Sequence, residues 1–153
     1  MTIDERLAEL GVELPKPPAP AGLYSPSLQT GNYLYISGQV PLSEGKPMAR
    51  GKCGAEVSVE EGAGLARACT LNALAIARQH LGSLDRISKV VRVGGYVAST
   101  PDFEDHPKVI NGASELLMDV FGETGTHARI AIGVAALPRG VPVEVEFTFE
   151  IDG

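Results

Sequence analysis

Arg129 stands at the mouth of a run of small apolar residues, Ile130-Ala131-Ile132-Gly133-Val134-Ala135-Ala136-Leu137, with no charge and no hydrogen-bonding side chain. Such a run predicts a strand buried on both faces. A guanidinium at its edge stays ionised and presents five donors in a planar fork. It needs a carboxylate, supplied by the protein or by a ligand. The last segment of the chain carries carboxylates in a regular pattern. Val143, Val145, Phe147, Phe149 and Ile151 alternate with Glu144, Glu146, Thr148 and Glu150, so one strand face is apolar and the other acidic. A solvated sheet face accounts for acids at Glu146 and Glu150, whereas Glu144 falls close to the preceding strand.

Other chemistries find little support. His80, His106 and His127 have no metal-ligand spacing with one another or with Cys53 and Cys69, so no metal site is expected. Ser37 is followed by Gly-Gln-Val-Pro and lacks the strand–Ser–helix setting of a nucleophile elbow. Gly94-Gly95 precede no Gly-Lys-Ser/Thr, so they are no phosphate loop. Lys16, Lys46, Lys52, Lys89 and Lys108 lie in polar or turn contexts that give no support for a pyridoxal phosphate lysine. What remains is an anion-binding arginine, carboxylates that could handle a proton, and a few hydroxyls. That set suits a small carboxylate ligand and water-mediated chemistry with no cofactor.

Composition narrows the partners. The chain has 153 residues, 44% of them hydrophobic and only 5% aromatic, with no Trp. Its core must therefore be built from Ala, Val, Ile and Leu. A net charge of −6 and the lack of a basic cluster argue against nucleic acid, whose phosphates need Lys and Arg. The acidic start Met1-Thr2-Ile3-Asp4-Glu5-Arg6-Leu7 lacks the features of a signal peptide. No apolar run reaches the roughly 18 residues of a membrane span. Two cysteines in unrelated contexts predict reduced thiols and a cytoplasmic setting.

The elements that must position these residues follow from local signals. Thr2 and Glu5 make a capping box for a short helix closed by Gly11. Pro15-Lys16-Pro17-Pro18-Ala19-Pro20 then forms an extended arm. Residues 1–21 thus read as a helix and Pro-rich arm, and 22–153 as one α+β domain. A hairpin is predicted from Leu23–Gln29 to Tyr33–Ser37 across Thr30-Gly31-Asn32. A short third strand is expected near Pro47 to Arg50. Ser58 and Glu61 cap a long Ala- and Gly-rich helix that Gly82 closes. A strand follows through Val90–Val97, where Gly94-Gly95 permit a bend or bulge. A second helix covers His106 to Phe121. Strands Ala128–Leu137 and Val143–Ile151, joined through Pro138–Pro142, are expected as antiparallel partners. The order is βββαβαββ. A direct Arg129–Glu144 pair within one chain is not required, and a meeting between subunits stays open.

Three segments together carry a resemblance. Gly31-Asn32-Tyr33-Leu34-Tyr35-Ile36-Ser37-Gly38-Gln39-Val40-Pro41, Ala128-Arg129 with Gly133-Val134-Ala135-Ala136-Leu137-Pro138, and Val143-Glu144-Val145-Glu146 resemble the reactive intermediate deaminase (Rid) family. That family is also catalogued as YjgF-type, as L-PSP endoribonuclease and as translation-initiation inhibitor. The Pro-rich leader and His127 are similar to a less characterised subgroup.

The resemblance implies a chorismate-mutase-like α+β fold, a mixed sheet with two helices on one face, and a homotrimer with ligand clefts between subunits. It implies hydrolysis of enamine or imine intermediates to 2-keto acids and ammonia. On its terms Arg129 grips the substrate carboxylate and Glu144 orients water or moves a proton. Tyr24, Ser37, Gly38 and Ala131 line the pocket, the last two through backbone amides. Asn111 sits on the second helix, and His127 stands where the family commonly has Pro, at the pocket rim. Ile130 and Ala131 depart from the family's frequent Ser and Cys. A non-catalytic trimer that senses a small carboxylate is the alternative; a ribonuclease fits the acidic composition poorly.

Overall fold

Thr2 caps the first helix as its sequence dictates: its hydroxyl accepts from Glu5 N at 3.1 Å, and the Glu5 carboxylate accepts from Thr2 N at 2.8 Å. The computed structural model describes residues 1–152. Helix α1 (Ile3–Glu9) ends before Gly11, whose φ of 69° is left-handed. It is tied to the body of the fold by buried Leu7, by Arg6 Nε donating to Asp119 O at 2.8 Å, and by Ile3 N donating to Asp85 Oδ1 at 2.8 Å. Residues 12–20 then run without regular structure.

The hairpin forms from β1 (Ser27–Thr30) and β2 (Tyr33–Gln39), Thr30 pairing with Tyr33 across Gly31-Asn32. The first strand is shorter than the sequence predicts. Pro26 has no N–H for a ladder, and Leu23 and Tyr24 stay in the bends before it. In place of one strand at 47–50, a small ribbon of β3 (Leu42–Ser43) and β4 (Lys46–Pro47) forms. Both of its turn residues, Glu44 (φ 51°) and Gly45 (φ 77°), are left-handed.

Helix α2 (Val59–Leu81) is capped by Ser58 and closed by left-handed Gly82. Strand β5 (Ile87–Ala98), helix α3 (His106–Phe121), strand β6 (Ala128–Val134) and strand β7 (Val143–Ile151) complete the chain. The five long strands form one mixed sheet in the order β1-β2-β7-β5-β6.

That order corrects two expectations. Strand β7 pairs antiparallel with β2 and β5, whereas β6 pairs only with β5, in parallel, and lies at the edge. Helix α3 is the crossover that a parallel β5–β6 pair needs. The turn at Pro138–Gly140 then carries the chain past β5 into the slot beside β2. Strand β6 is also not buried on both faces. Arg129 and Ala131 turn toward the helices, while Ile130 and Ile132 are 41% and 40% exposed on the opposite face. Its apolar composition thus describes an uncovered surface.

Both helices pack on one face of the sheet, α2 over β2 and β7 and α3 over β5 and β6. Their small residues allow very close approach. A Cβ on Gly112 would lie 1.9 Å from Ala63 O, and one on Gly95 would lie 2.5 Å from the Ile110 side chain. The register shifts of β5 occur between Ile87 and Lys89 and between Val90 and Arg92, not at Gly94-Gly95. Those glycines serve packing instead: Gly95 admits α3 and Gly94 admits Glu146, whose Cγ would be 2.7 Å from an added Cβ. Strand β7 alternates as its sequence predicts, with Val143, Val145, Phe147, Phe149 and Ile151 buried. Cys53 and Cys69 are buried free thiols, and burial pushes both above the ordinary thiol range. Among the described residues no helix is long and apolar enough to cross a membrane.

Candidate active site

Strand β7 carries Glu144 on the open face, opposite the helices. Its neighbour β2 is irregular at this level: the pairing register slips between Ile36 and Gln39, which leaves Ser37 and Gly38 in a bulge. Bulges re-aim side chains and often border active sites. Here the bare Gly38 lets the Glu144 carboxylate lie against the backbone, since a Cβ would come within 2.2 Å of Oε2. Around them a cavity of about 660 Å³ is lined by Ala21, Tyr24, Ser37, Val40, Leu42 and Arg139. The Ser37 hydroxyl donates to Ser25 O at 2.7 Å, which leaves its oxygen able to act only as an acceptor toward any further partner. Tyr24 is half exposed, and its hydroxyl accepts from Ala21 N at 3.3 Å.

Burial raises the Glu144 pKa above the ordinary carboxylate range, and the like charge of Glu146 adds to the effect. Glu146 itself is held in place. Arg92 Nη1 donates to it at 3.0 Å and Tyr96 Oη at 2.9 Å, across the bare Gly94. Glu144 is thus a carboxyl group whose protonated form burial favours, beside a Glu146 held by two donors.

Arg129 belongs to a second constellation, on the helix side of β6. Nη1 donates to Asn111 Oδ1 at 2.8 Å and to Ser114 Oγ at 3.1 Å, and Nη2 donates to Pro107 O at 3.4 Å. His127 completes the set. Its Nδ1 donates to Gly125 O at 2.6 Å, which leaves Nε2 to accept from Ser114 Oγ at 2.8 Å. Gly125 O, His127, Ser114 and Arg129 therefore form one directional chain that fixes the guanidinium. The three groups that accept from Arg129 carry no charge. Among the described residues no carboxylate lies within ion-pair distance of Arg129. Three of its five donors are engaged, and two remain for an incoming anion. Ala131 lies on the same strand face, two residues along.

The eight residues singled out from the sequence thus fall into two groups. Tyr24, Ser37, Gly38 and Glu144 surround the cleft; Arg129, Asn111, His127 and Ala131 share the β6–α3 edge. Cross-strand register separates them: Glu144 lies level with Tyr96 and Ile132, Arg129 with Val93 and Phe147. Strand β5 intervenes, and the two side chains leave opposite faces of the sheet. One chain cannot bring them together.

Sequence reasoning missed Ser114, Arg139 and the Arg92–Tyr96 grip on Glu146. Ser114 sits at a helical position flanked by core residues and carries no signal of its own. Arg139 reads as an ordinary turn residue between Pro138 and Gly140. Among the described residues no cluster of His, Cys, Asp and Glu could hold a metal ion.

A mixed sheet with two helices on one face, a fixed arginine at its edge and a carboxyl in an open-face cleft define a chorismate-mutase-like α+β domain. The chain belongs to the Rid/YjgF family: the family model described as "YjgF/chorismate_mutase-like, putative endoribonuclease" matches residues 4–146. Protein TCP17 of Trypanosoma cruzi is 42% identical over 147 residues, spanning 95% of this chain and 92% of that protein. A crystal structure of the Agrobacterium tumefaciens protein Atu1372, of unknown function, superposes with a TM-score of 0.90 at 42% identity, over 99% of this chain and 93% of that one. A 2-iminobutanoate/2-iminopropanoate deaminase of Dermatophagoides farinae is 29% identical, over 88% of this chain and 91% of that protein. The family therefore includes imine deaminases.

Proposed function

We propose that this protein hydrolyses small 2-imino acids, formed directly or by tautomerisation of enamines such as aminoacrylate, to 2-keto acids and ammonia. The observation that carries this reading is Arg129, a guanidinium fixed by uncharged acceptors, with no carboxylate partner among the described residues and two donors left over. A ligand carboxylate is the group that satisfies it, by a bidentate charge-assisted pair. The deaminase relative supports the choice of ligand.

The reaction needs little more than a placed water and a proton path. Water adds to the C=N carbon, the nitrogen takes a proton, and the carbinolamine collapses to ketone and ammonia. Glu144, whose pKa is raised by burial, can donate the proton to nitrogen and accept one from water. General acid–base help of this kind contributes about 10²–10⁴-fold. Ser37 and the Gly38 backbone line the same cleft.

The reading requires Arg129 and Glu144 to meet, so it includes a homotrimer in which the β6 edge of one copy faces the Glu144 cleft of the next. The open sheet face supports it: Leu28, Tyr33, Tyr35, Ile130 and Ile132 are exposed there together. An apolar surface of this kind is what a subunit interface covers.

The test supplies 2-iminobutanoate from a PLP-dependent dehydratase and follows ketone and ammonia formation. Acceleration that Arg129→Ala abolishes supports the deaminase. Binding of 2-oxobutanoate through Arg129 without acceleration makes the protein a carboxylate sensor instead. Neither acceleration nor binding refutes both.

A further inference from the structure

Among the described residues Arg139 is the one cationic side chain lining the Glu144 cleft, and its backbone and its guanidinium are both held. It is a non-glycine residue in the left-handed region, φ 60° and ψ 16°. Such conformations persist where the surroundings over-determine them, and they cluster at ligand sites. The turn is pinned on two sides. Gly51 N donates to Gly140 O at 3.0 Å, and Gly140 N donates to Leu137 O at 3.1 Å. The guanidinium is anchored at its end: Nη1 donates to Gly45 O at 3.0 Å, at the tip of the β3–β4 ribbon. Gly45 is left-handed as well, so its carbonyl is aimed by the tight turn.

This anchor fixes the head group without neutralising it. Among the described residues no carboxylate lies within ion-pair distance of Arg139. One of its five donors is engaged, and four remain. The same cleft is lined by Tyr24, Ser37 and Glu144, and burial shifts the Glu144 pKa upward. An anion entering the cleft therefore meets a cation that, among the described residues, no carboxylate within ion-pair distance neutralises.

We propose that Arg139 is a second anion-binding residue of this site, and that the ligand it selects carries two acidic groups. This rests on the reading above, in which Arg129 of a neighbouring copy holds the α-carboxylate. Arg139 then takes the side-chain acid, and the substrate class is the 2-imino dicarboxylic acids. The Pro138-Arg139-Gly140 turn becomes the specificity element, and the β3–β4 ribbon its support.

The test uses the stable keto products as probes, titrated calorimetrically into the full-length protein: 2-oxoglutarate with two acids and 2-oxobutanoate with one. A charge-assisted bidentate contact predicts that wild type binds 2-oxoglutarate about tenfold or more tightly than 2-oxobutanoate. Arg139→Asn removes the guanidinium and keeps a residue that tolerates left-handed backbone. It should bring 2-oxoglutarate to the level of 2-oxobutanoate and leave the latter within about twofold. Arg139→Lys should retain part of the preference, because it retains the charge.

Equal affinity for the two acids in wild type overturns the proposal. So does a preference that survives Arg139→Asn, or equal loss of both acids in that variant. Arg129→Ala distinguishes the two levels of the argument. If it abolishes 2-oxobutanoate binding, the carboxylate reading stands whatever Arg139 does. If neither acid binds wild type, that reading falls and Arg139 with it.

Discussion

Gly38→Ala isolates the contribution of the Glu144 position. An added Cβ would lie 2.2 Å from Glu144 Oε2, 3.1 Å from Cδ and 3.4 Å from Cγ. Ordinary van der Waals contact for such a Cβ begins at 3.4 Å, so the carboxyl must retreat by roughly 1 Å. Misplacing a reacting group by that amount costs on the order of 10²-fold in rate, or about 2.7 kcal/mol in the barrier. The backbone has no objection, because Gly38 is not left-handed. The displaced atom is the end of a flexible side chain, and Gly→Ala at a compatible site stabilises by about 0.4–1 kcal/mol through the unfolded state. Thermal stability should therefore be unchanged or slightly higher. Arg129 is on the other face of its own sheet and is untouched, so KM should hold while kcat falls about 100-fold. The assay follows ketone release from enzymatically generated 2-iminobutanoate, with spontaneous hydrolysis subtracted. The Gly38→Ala/Glu144→Gln double variant should be no slower than Glu144→Gln alone, since both changes act through one carboxyl. A kcat within threefold of wild type, in a variant with unchanged melting temperature, refutes the reasoning.

Three further outcomes follow from the same geometry. Glu144 has its folded pKa raised, first by burial and then by Glu146. The unfolded chain therefore ionises first as pH rises, and stability is lost from the unfolded value up through the folded one. In urea titrations across that range, Glu144→Gln should match wild type in acid and become more stable toward neutral pH; a constant difference would contradict this. Ile132→Glu places a charge on the exposed open face of β6; sedimentation should show assembly weakened and catalysis lost, and an intact, active oligomer would remove the joined-site argument. Gly112→Ala drives a Cβ to 1.9 Å from the Ala63 carbonyl, a backbone atom that cannot step aside; the α2–α3 crossing must open, at about 1–3 kcal/mol, and the melting temperature should drop by several degrees.

Legibility in the sequence followed the range of the interactions. Helices α2 and α3 were readable because their caps and stops, Ser58 with Gly82 and Gly122, act within one turn. The alternation of β7 was readable because burial of one face imposes a period of two. The place of β6 was not. A run such as Ile130–Leu137 looks the same whether a strand is enclosed by its own sheet or left uncovered at an edge, and proximity to β7 in the chain was a poor guide to pairing. The glycines at 94 and 95 were visible, but their purpose lay in Glu146 and Ile110, residues distant in sequence.

The candidate site divides along the same line. The sequence by itself determined the chemical inventory: one guanidinium beside an apolar strand and an acidic strand face. Side-chain type and the period of two are enough to read both. Only the tertiary structure decided that Arg129 and Glu144 lie on opposite faces with β5 between them, that Ser114 and His127 aim the arginine, and that Arg139 shares the carboxyl's cleft. Strand order and crossover set those relations, and both arise from which surfaces pack together across the whole chain rather than from any local run of residues.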